Sequence, residues 1–369
     1  VTSPPSAAEV DLDDADGLLA ADRHGLLRAA SMAGAQVRAT AAALAEGDLE
    51  SVRSDAPPRT IVWVAGPGNA EAAGTMLAAL LGGSIGTPIV VAADAPPWIG
   101  ALDVVVLAGD DPAQPALVNT AATAVRRGAR IVVVAPYEGP LRDATAGRSV
   151  SLPPRMPVPD DFTLARYLAA GLAVLDVVVP GFSVDLATLA DDLDAEAVRN
   201  SAGRDLFTNP AKVLADRMRD RDVVLAGDSA ATVALARHAC AVMLRVGHHV
   251  MAPVGLSDAL VAIGTGWGRP GGGTSSIFHD EELDGPLPQQ GRTIVLTTDA
   301  ERHTVSARLR GFDDVYVVNA NDVPDVAAPG GNSEPGSATT PGSARPEQQL
   351  ALLAVRLEMA AVYRRLVRG

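Results

Sequence analysis

The chain carries one pattern twice. Ile61 onward reads IVWVAGPGNAEAAGTMLAALLGGSIGTPIVV, and Asp222 onward reads DVVLAGDSAATVALARHACAVMLRVGHHVMAP. The two align without gaps, with Val64-Ala65-Gly66 over Leu225-Ala226-Gly227. Each is an apolar, β-branched run, a glycine turn, an alanine-rich helical stretch and a second apolar run. A further strand–helix–strand unit follows in each half: VVVLAGDDPAQPALVNTAATAVRRGARIVVVA from Val104, and TIVLTTDAERHTVSARLRGFDDVYVVNA from Thr293. Self-similarity of this length means two copies of one α/β domain. Strands that are apolar throughout, such as VVVL and IVVV, belong to parallel sheets covered on both faces. Right-handed crossovers then predict an α/β fold of two tandem doubly wound parallel-sheet domains, flavodoxin-type.

The segments around these repeats set the expected boundaries. Residues 1–20 read as a disordered acidic tail, 21–180 as the first domain and 181–326 as the second. Residues 327–347 are poor in apolar residues and rich in Gly, Pro and Ser, which predicts a flexible linker. Residues 348–369 place Leu350, Leu353, Leu357 and Ala360 at helical spacing, which predicts a C-terminal helix docked on the fold.

The formal net charge is −14, from 44 acidic and 30 basic residues. That balance argues against bulk nucleic-acid binding and against an anionic membrane surface. Cys240 is the one cysteine, so neither a disulfide framework nor a cysteine metal site is possible within the chain. A reducing, cytoplasmic setting fits, and the polar N-terminus carries no signal-peptide pattern. The most apolar stretch, 164–180, contains Arg166 and Asp176 and reads as a buried helix rather than a membrane span. Lys212 is the one lysine, and alanine is abundant, as in a GC-rich bacterial genome.

Ligands of open parallel sheets bind beyond the carboxyl ends of the strands. Four loops occupy that position. Gly66-Pro67-Gly68-Asn69 permits close backbone approach at a helix N-terminus, which favours an anion. It is not a GxGxxG dinucleotide fingerprint, so no nicotinamide cofactor is expected, although Asp94 ends the next strand. Gly109-Asp110-Asp111-Pro112 has two carboxylates and no hydroxyl. These read as helix caps and would repel a phosphate. Ser229, with Thr232 behind it, and Thr297-Thr298-Asp299 supply hydroxyls that suit either helix capping or a phosphate. His248-His249 point in different directions on a strand and have no third ligand at a usual spacing, so no metal is expected. His279 and Asp258 are candidate acid–base groups, and the glycine-rich stretch 264–273 around Trp267 and Arg269 reads as a mobile loop.

These turns on two tandem halves resemble the sugar isomerase (SIS) family, and more closely its bifunctional phosphoglucose/phosphomannose isomerase-type proteins. Gly66-Pro67-Gly68-Asn69 matches the family's first glycine loop, Pro154-Arg155 its Pro-Arg element, and Asn209-Pro210-Ala211-Lys212 its NPAK helix start. Ala360-Ala361-Val362-Tyr363 matches its terminal helix. The resemblance implies an SIS-like fold, a homodimer, no cofactor, and a sugar phosphate or related derivative held near Gly66, Gly68, Asn69, Arg155 and Lys212. The family's catalytic groups are not matched. Its Ser/Thr-rich phosphate loop becomes Ala108-Gly109-Asp110-Asp111-Pro112, its glutamate base falls at Leu244 or Arg245, and its ring-opening histidine falls in 253–258, which has none. Two functions follow: a degenerate sugar-phosphate binder with a regulatory or scaffolding role, or an isomerase with a rearranged site using His279 or Asp258.

Overall fold

The computed structural model describes residues 10–268, 290–312, 315–321 and 345–368. The chain divides into two compact units, one of residues 28–198 and one of residues 1–27 with 199–369. Its helices are α1 (Ala15–Ala21), α2 (Leu26–Ala30), α3 (Ala33–Ala45), α4 (Asn69–Leu81), α5 (Pro115–Arg127), α6 (Gly139–Thr145) and α7 (Leu164–Val178). They continue with α8 (Leu186–Arg199), α9 (Pro210–Arg217), α10 (Ala230–Arg245), α11 (Leu256–Gly264), α12 (Asp299–Arg308) and α13 (Pro346–Arg368). The strands are β1 (Thr60–Ala65), β2 (Ile89–Ala92), β3 (Asp103–Ala108), β4 (Arg130–Val134), β5 (Ser149–Ser151), β6 (Arg221–Gly227), β7 (Met251–Gly255), β8 (Gln290–Leu296) and β9 (Val315–Val318).

Each unit holds one parallel sheet, ordered β2-β1-β3-β4-β5 in the first and β7-β6-β8-β9 in the second. Both begin with the same doubly wound order, as the repeat requires. The register pairs Val62 with Val90 and Val105, and Val224 with Ala252 and Thr293. Every residue of β1 and β3 is buried, because helices cover both faces of the sheet.

In the first unit, Val62, Val64, Val105, Leu107, Ile131 and Val133 face Leu117, Ala121 and Leu141 from α5 and α6. On the other face Trp63 packs where α4 and α7 meet, and its indole N–H donates to Ala70 O at 2.8 Å. A Cβ on Gly74 would overlap that indole, and one on Gly171 would overlap Leu77. Two helices can therefore approach the sheet closely because each presents a glycine there.

Residues 10–21, the described part of the polar N-terminal stretch, are more ordered than their composition suggests. Leu12 and Leu18 are buried, Asp14 caps α1 by accepting from Gly17 N at 2.9 Å, and Asp13 accepts from Leu206 N at 2.6 Å. Two leucines and two capping acids give this short segment something to bury and something to bond. The first unit also runs beyond residue 180. Arg38 on α3 bonds Asp191 at 2.7 Å and Asp194 at 2.5 Å on α8. The expected linker at 327–347 lies almost wholly outside the described residues.

The C-terminal helix α13 is docked, and it is buried on nearly every side rather than along one stripe. Such burial requires specific bonds for the polar groups it carries inside. Arg356 donates to Asn319 O and Ala320 O, both at 2.8 Å, Tyr363 O–H donates to Asn200 O at 2.6 Å, and Glu358 bonds His238 of α10 at 3.0 Å.

The Trp63 packing makes a direct prediction. Gly74→Ala is expected to destabilise the protein by ~1–3 kcal/mol despite the better helix propensity of alanine. A lowered urea midpoint with an unchanged slope would show it.

Candidate functional site

The described residues of the first unit line a cavity of about 180 Å³, open to solvent, at the carboxyl ends of β3, β4 and β5. Asp110 enters it from the end of β3, Pro136 from β4 and Leu152 from β5. Helix α3 contributes Gln36 and Thr40, α7 contributes Arg166 and Ala170, and residues 153–158 close the remaining side.

The polar centre is a three-residue cluster. Arg166 Nη2 donates to Asp110 Oδ1 at 2.7 Å, and Tyr167 O–H donates to the same oxygen at 2.6 Å. The guanidinium lies over the Tyr167 ring, 4.2 Å from its centroid. Burial raises the Tyr167 pKa, with the Asp110 charge adding to it, so the phenol stays a donor. Two valences on Arg166 are left over. Its Nε and Nη1 are buried with no hydrogen-bond partner. Gln36 has one left over as well: its Nε2 donates to Phe162 O at 2.9 Å, while its Oε1 is buried and unpartnered. Gln36 is 2% exposed and Arg166 9%. A buried polar group without a partner is costly, which sets Arg166 and Gln36 apart from the rest of the lining.

The start of α7 is fixed from a distance. Asn69 Nδ2 donates to Asp160 O at 2.7 Å and to Thr163 Oγ1 at 3.2 Å. Asp160 lies at the cavity mouth with its pKa raised, first by burial and then by the charges of Asp110 and Asp161.

The expectation that Asp110 and Asp111 cap a helix is corrected here. Helix α5 begins at Pro115 with Gln114 as its N-cap residue. Pro112 and Pro115 disfavour helical backbone at Asp111 and Gln114, which delays the helix by a turn. Asp111 instead accepts from Ala113 N at 2.8 Å, and Asp110 is released to pair with α7.

The other sequence candidates fall as follows. Gly66 abuts Gln114, and a Cβ there would overlap that side chain. Gly68 holds φ at 132°, a conformation open to glycine, and precedes α4 as its N-cap residue. Arg155 does reach the cavity wall, where Glu46 takes it bidentately at 3.0 and 2.7 Å and Asp48 accepts at 2.7 Å. The guanidinium accordingly draws the Glu46 pKa down.

Lys212, Ser229, Thr297, Thr298 and Asp258 belong to the other unit. Lys212 is fully buried. Its ammonium donates to Ala202 O at 2.8 Å and Arg204 O at 2.7 Å, and burial lowers its pKa. Ser229 forms a reciprocal cap with Thr232 on α10, and Thr298 does the same with Glu301 on α12. Thr297 donates to Thr298 O at 3.1 Å. Asp258 is exposed in the first turn of α11, and Leu244 and Arg245 are exposed on α10. His279 lies outside the described residues. No cluster able to hold a metal ion occurs among the described residues. His249 Nε2 is buried and unpartnered, and its pKa is lowered by burial and by Arg364 and Arg368.

Sequence reasoning did not single out Gln36, Asp160, Arg166 or Tyr167. The signal for Arg166 was present, since a charge inside an apolar helix needs a partner. Gln36 had none, because its contact with Phe162 spans 126 residues.

The cluster predicts coupled energetics. Asp110→Asn and Tyr167→Phe should each lower the denaturant midpoint, and their effects should be non-additive by ~0.5–3 kcal/mol in a double-mutant cycle. Strict additivity would mean that the two side chains do not share one bond network.

No protein-family model matches the chain, and no curated protein matches it in sequence. Solved structures do match in fold. A phosphosugar isomerase candidate from Clostridium difficile 630 superimposes with a TM-score of 0.61 at 11% identity, covering 93% of each chain. Tagatose-6-phosphate ketose/aldose isomerase from Escherichia coli gives 0.60 at 13% identity, over 100% of this chain and 95% of that one. A glucose-6-phosphate isomerase like protein from Thermus thermophilus gives 0.51 at 19% identity, over 98% and 94%. Identities this low establish the fold alone: the chain has the two-sheet, SIS-like architecture that phosphosugar isomerases share.

Proposed function

We propose that this protein binds a sugar phosphate or a related carbohydrate derivative in the cavity of its first unit, without isomerising it. The observation that carries the reading is a pocket at the carboxyl ends of the strands whose lining includes Arg166 and Gln36, each with buried polar atoms that have no partner. That is where an open α/β sheet places its ligands. The fold it shares with phosphosugar isomerases supports carbohydrate as the ligand class.

Aldose–ketose exchange needs a base that moves a proton between adjacent carbons. The position where the resemblance expects a glutamate is Leu244 or Arg245 on α10, both exposed. A binder with a regulatory or scaffolding role, homodimeric and cytoplasmic, fits these residues better than an isomerase. No helix among the described residues is long and apolar enough to cross a membrane. The competing reading, a rearranged isomerase, has one specific support. Asp110 is held through Oδ1 by two donors, and its second oxygen is left for a substrate.

One experiment separates them. Fructose, glucose and mannose 6-phosphates are mixed with the full chain in deuterated buffer and followed by proton NMR. Saturation transfer to a sugar, weakened by Arg166→Lys, with no deuterium entering the carbon beside the carbonyl, is the expected result. Deuterium uptake that disappears in Asp110→Asn would establish the isomerase instead. Absence of both signals would remove the carbohydrate reading.

A further inference from the structure

The polar groups around the cavity differ in what they have left to offer. Pro136, Pro153, Pro154 and Pro157 line it and bring no backbone N–H. The hydroxyls are spent: Thr40 donates to Gln36 O at 3.3 Å and Thr163 to Asp160 O at 2.9 Å. Of the two cations, Arg155 is held by Glu46 and Asp48, and Arg166 by Asp110. Among the lining side chains, the donors left without a partner are Arg166 Nε and Nη1. Acceptors are left over as well. They are Gln36 Oε1, the second oxygen of Asp110, and the Asp160 carboxylate, to which no described side chain donates.

A phosphate dianion wants converging N–H and O–H donors and a net positive surround. The lining side chains give it neither, and Asp110 and Asp160 would repel it. A ring hydroxyl both donates and accepts, so it satisfies a guanidinium N–H and a carboxylate or amide oxygen at once. Leu152, Met156, Val158 and Ala170 supply apolar wall for the C–H faces of a ring.

We propose that the cavity receives the uncharged, hydroxyl-bearing ring of a sugar and makes no phosphate contact, so that a phosphate on the ligand adds nothing to its affinity here. The inference rests on the carbohydrate-binding reading and goes beyond it by assigning which part of the molecule is recognised. It also reverses the chemistry that the fold's sugar-phosphate relatives would suggest.

The test uses matched pairs on the full chain: glucose, mannose and fructose, each against its 6-phosphate, followed by saturation transfer and titration. The best free sugar is expected to bind within about threefold of its own 6-phosphate, and inorganic phosphate is expected to displace neither. Ala39→Phe, which fills the cavity from α3 without touching the polar cluster, should weaken both members of the pair by about tenfold or more, ~1.4 kcal/mol. Arg166→Lys, which keeps the charge and loses the fork of donors, should do the same if Ala39→Phe proves unfolded by circular dichroism. Binding of the 6-phosphates alone, competed by inorganic phosphate, would overturn the inference and leave the carbohydrate reading standing. Unchanged binding in a folded Ala39→Phe would overturn it too, by placing the sugar elsewhere. Failure of both members of every pair to bind would remove the carbohydrate reading and this inference together.

Discussion

A guanidinium inside an apolar helix has to be neutralised, and in this protein much of the first unit is arranged around that need. Arg166 sits on α7, a helix almost entirely buried. Its counter-charge is Asp110 at the end of β3, with the phenol of Tyr167 donating to the same oxygen. Removing Asp110 would strand the buried guanidinium without its counter-charge, which is costly. The pair also fixes position. It pins α7 to the carboxyl end of the central strand, while Asn69 pins the turn before α7 to the start of α4, and Gln36 pins it to α3. Three helices and a strand end thus converge on one point. The cavity is the space left where their side chains do not fill it.

The two halves repeat one pattern and treat the ends of their strands differently. In the second unit the corresponding loops are sealed. Asp228 pairs with Arg308, which also donates to Ser257 at 2.8 Å. Thr298 and Glu301 cap each other, and Asp299 receives Gln349 and Asn321 at 2.8 and 2.6 Å. The first turn of α13, which carries Gln349, therefore closes the very loop that would otherwise face a ligand. A polar group already satisfied has no desolvation cost for a ligand to relieve. The first unit keeps that opportunity open at Arg166 and Gln36, and the difference lies in side chains rather than in the sheet.

What the sequence made legible follows from the same physics. Strands buried on both faces are apolar at nearly every position, so VVVL, IVVV and TIVL announced themselves, and the crossover rule turned them into two doubly wound parallel sheets. The docked C-terminal helix was legible from the spacing of its leucines. The start of α5 was not, because the pull of two acids toward a cap was weighed above the restriction that Pro112 and Pro115 place on the residues before them. Lys212 and Asn69 matched motifs, yet their side chains spend themselves on backbone groups that only the fold brings near. Gln36 was invisible for the opposite reason: it is one polar residue on an otherwise ordinary helix. Its role depends on a carbonyl far along the chain.

The acids at 110 and 111 at first look like simple decay of a phosphate loop. The structure gives one of them a positive reason to be there. A hydroxyl at position 110 would leave Arg166 buried with a full charge and no anion, and such a cation draws in phosphate from solution. The carboxylate answers that charge from within the chain and thereby keeps anions out. It leaves the guanidinium its Nε–H and Nη1–H2 donors and itself one open oxygen, complementary groups that a hydroxyl can bridge. One residue thus decides both the stability of α7 against the sheet and the polarity of whatever enters the cavity. A change at 110 that altered ligand choice would have to be matched at 166, and the two positions are best understood as a single element of the site.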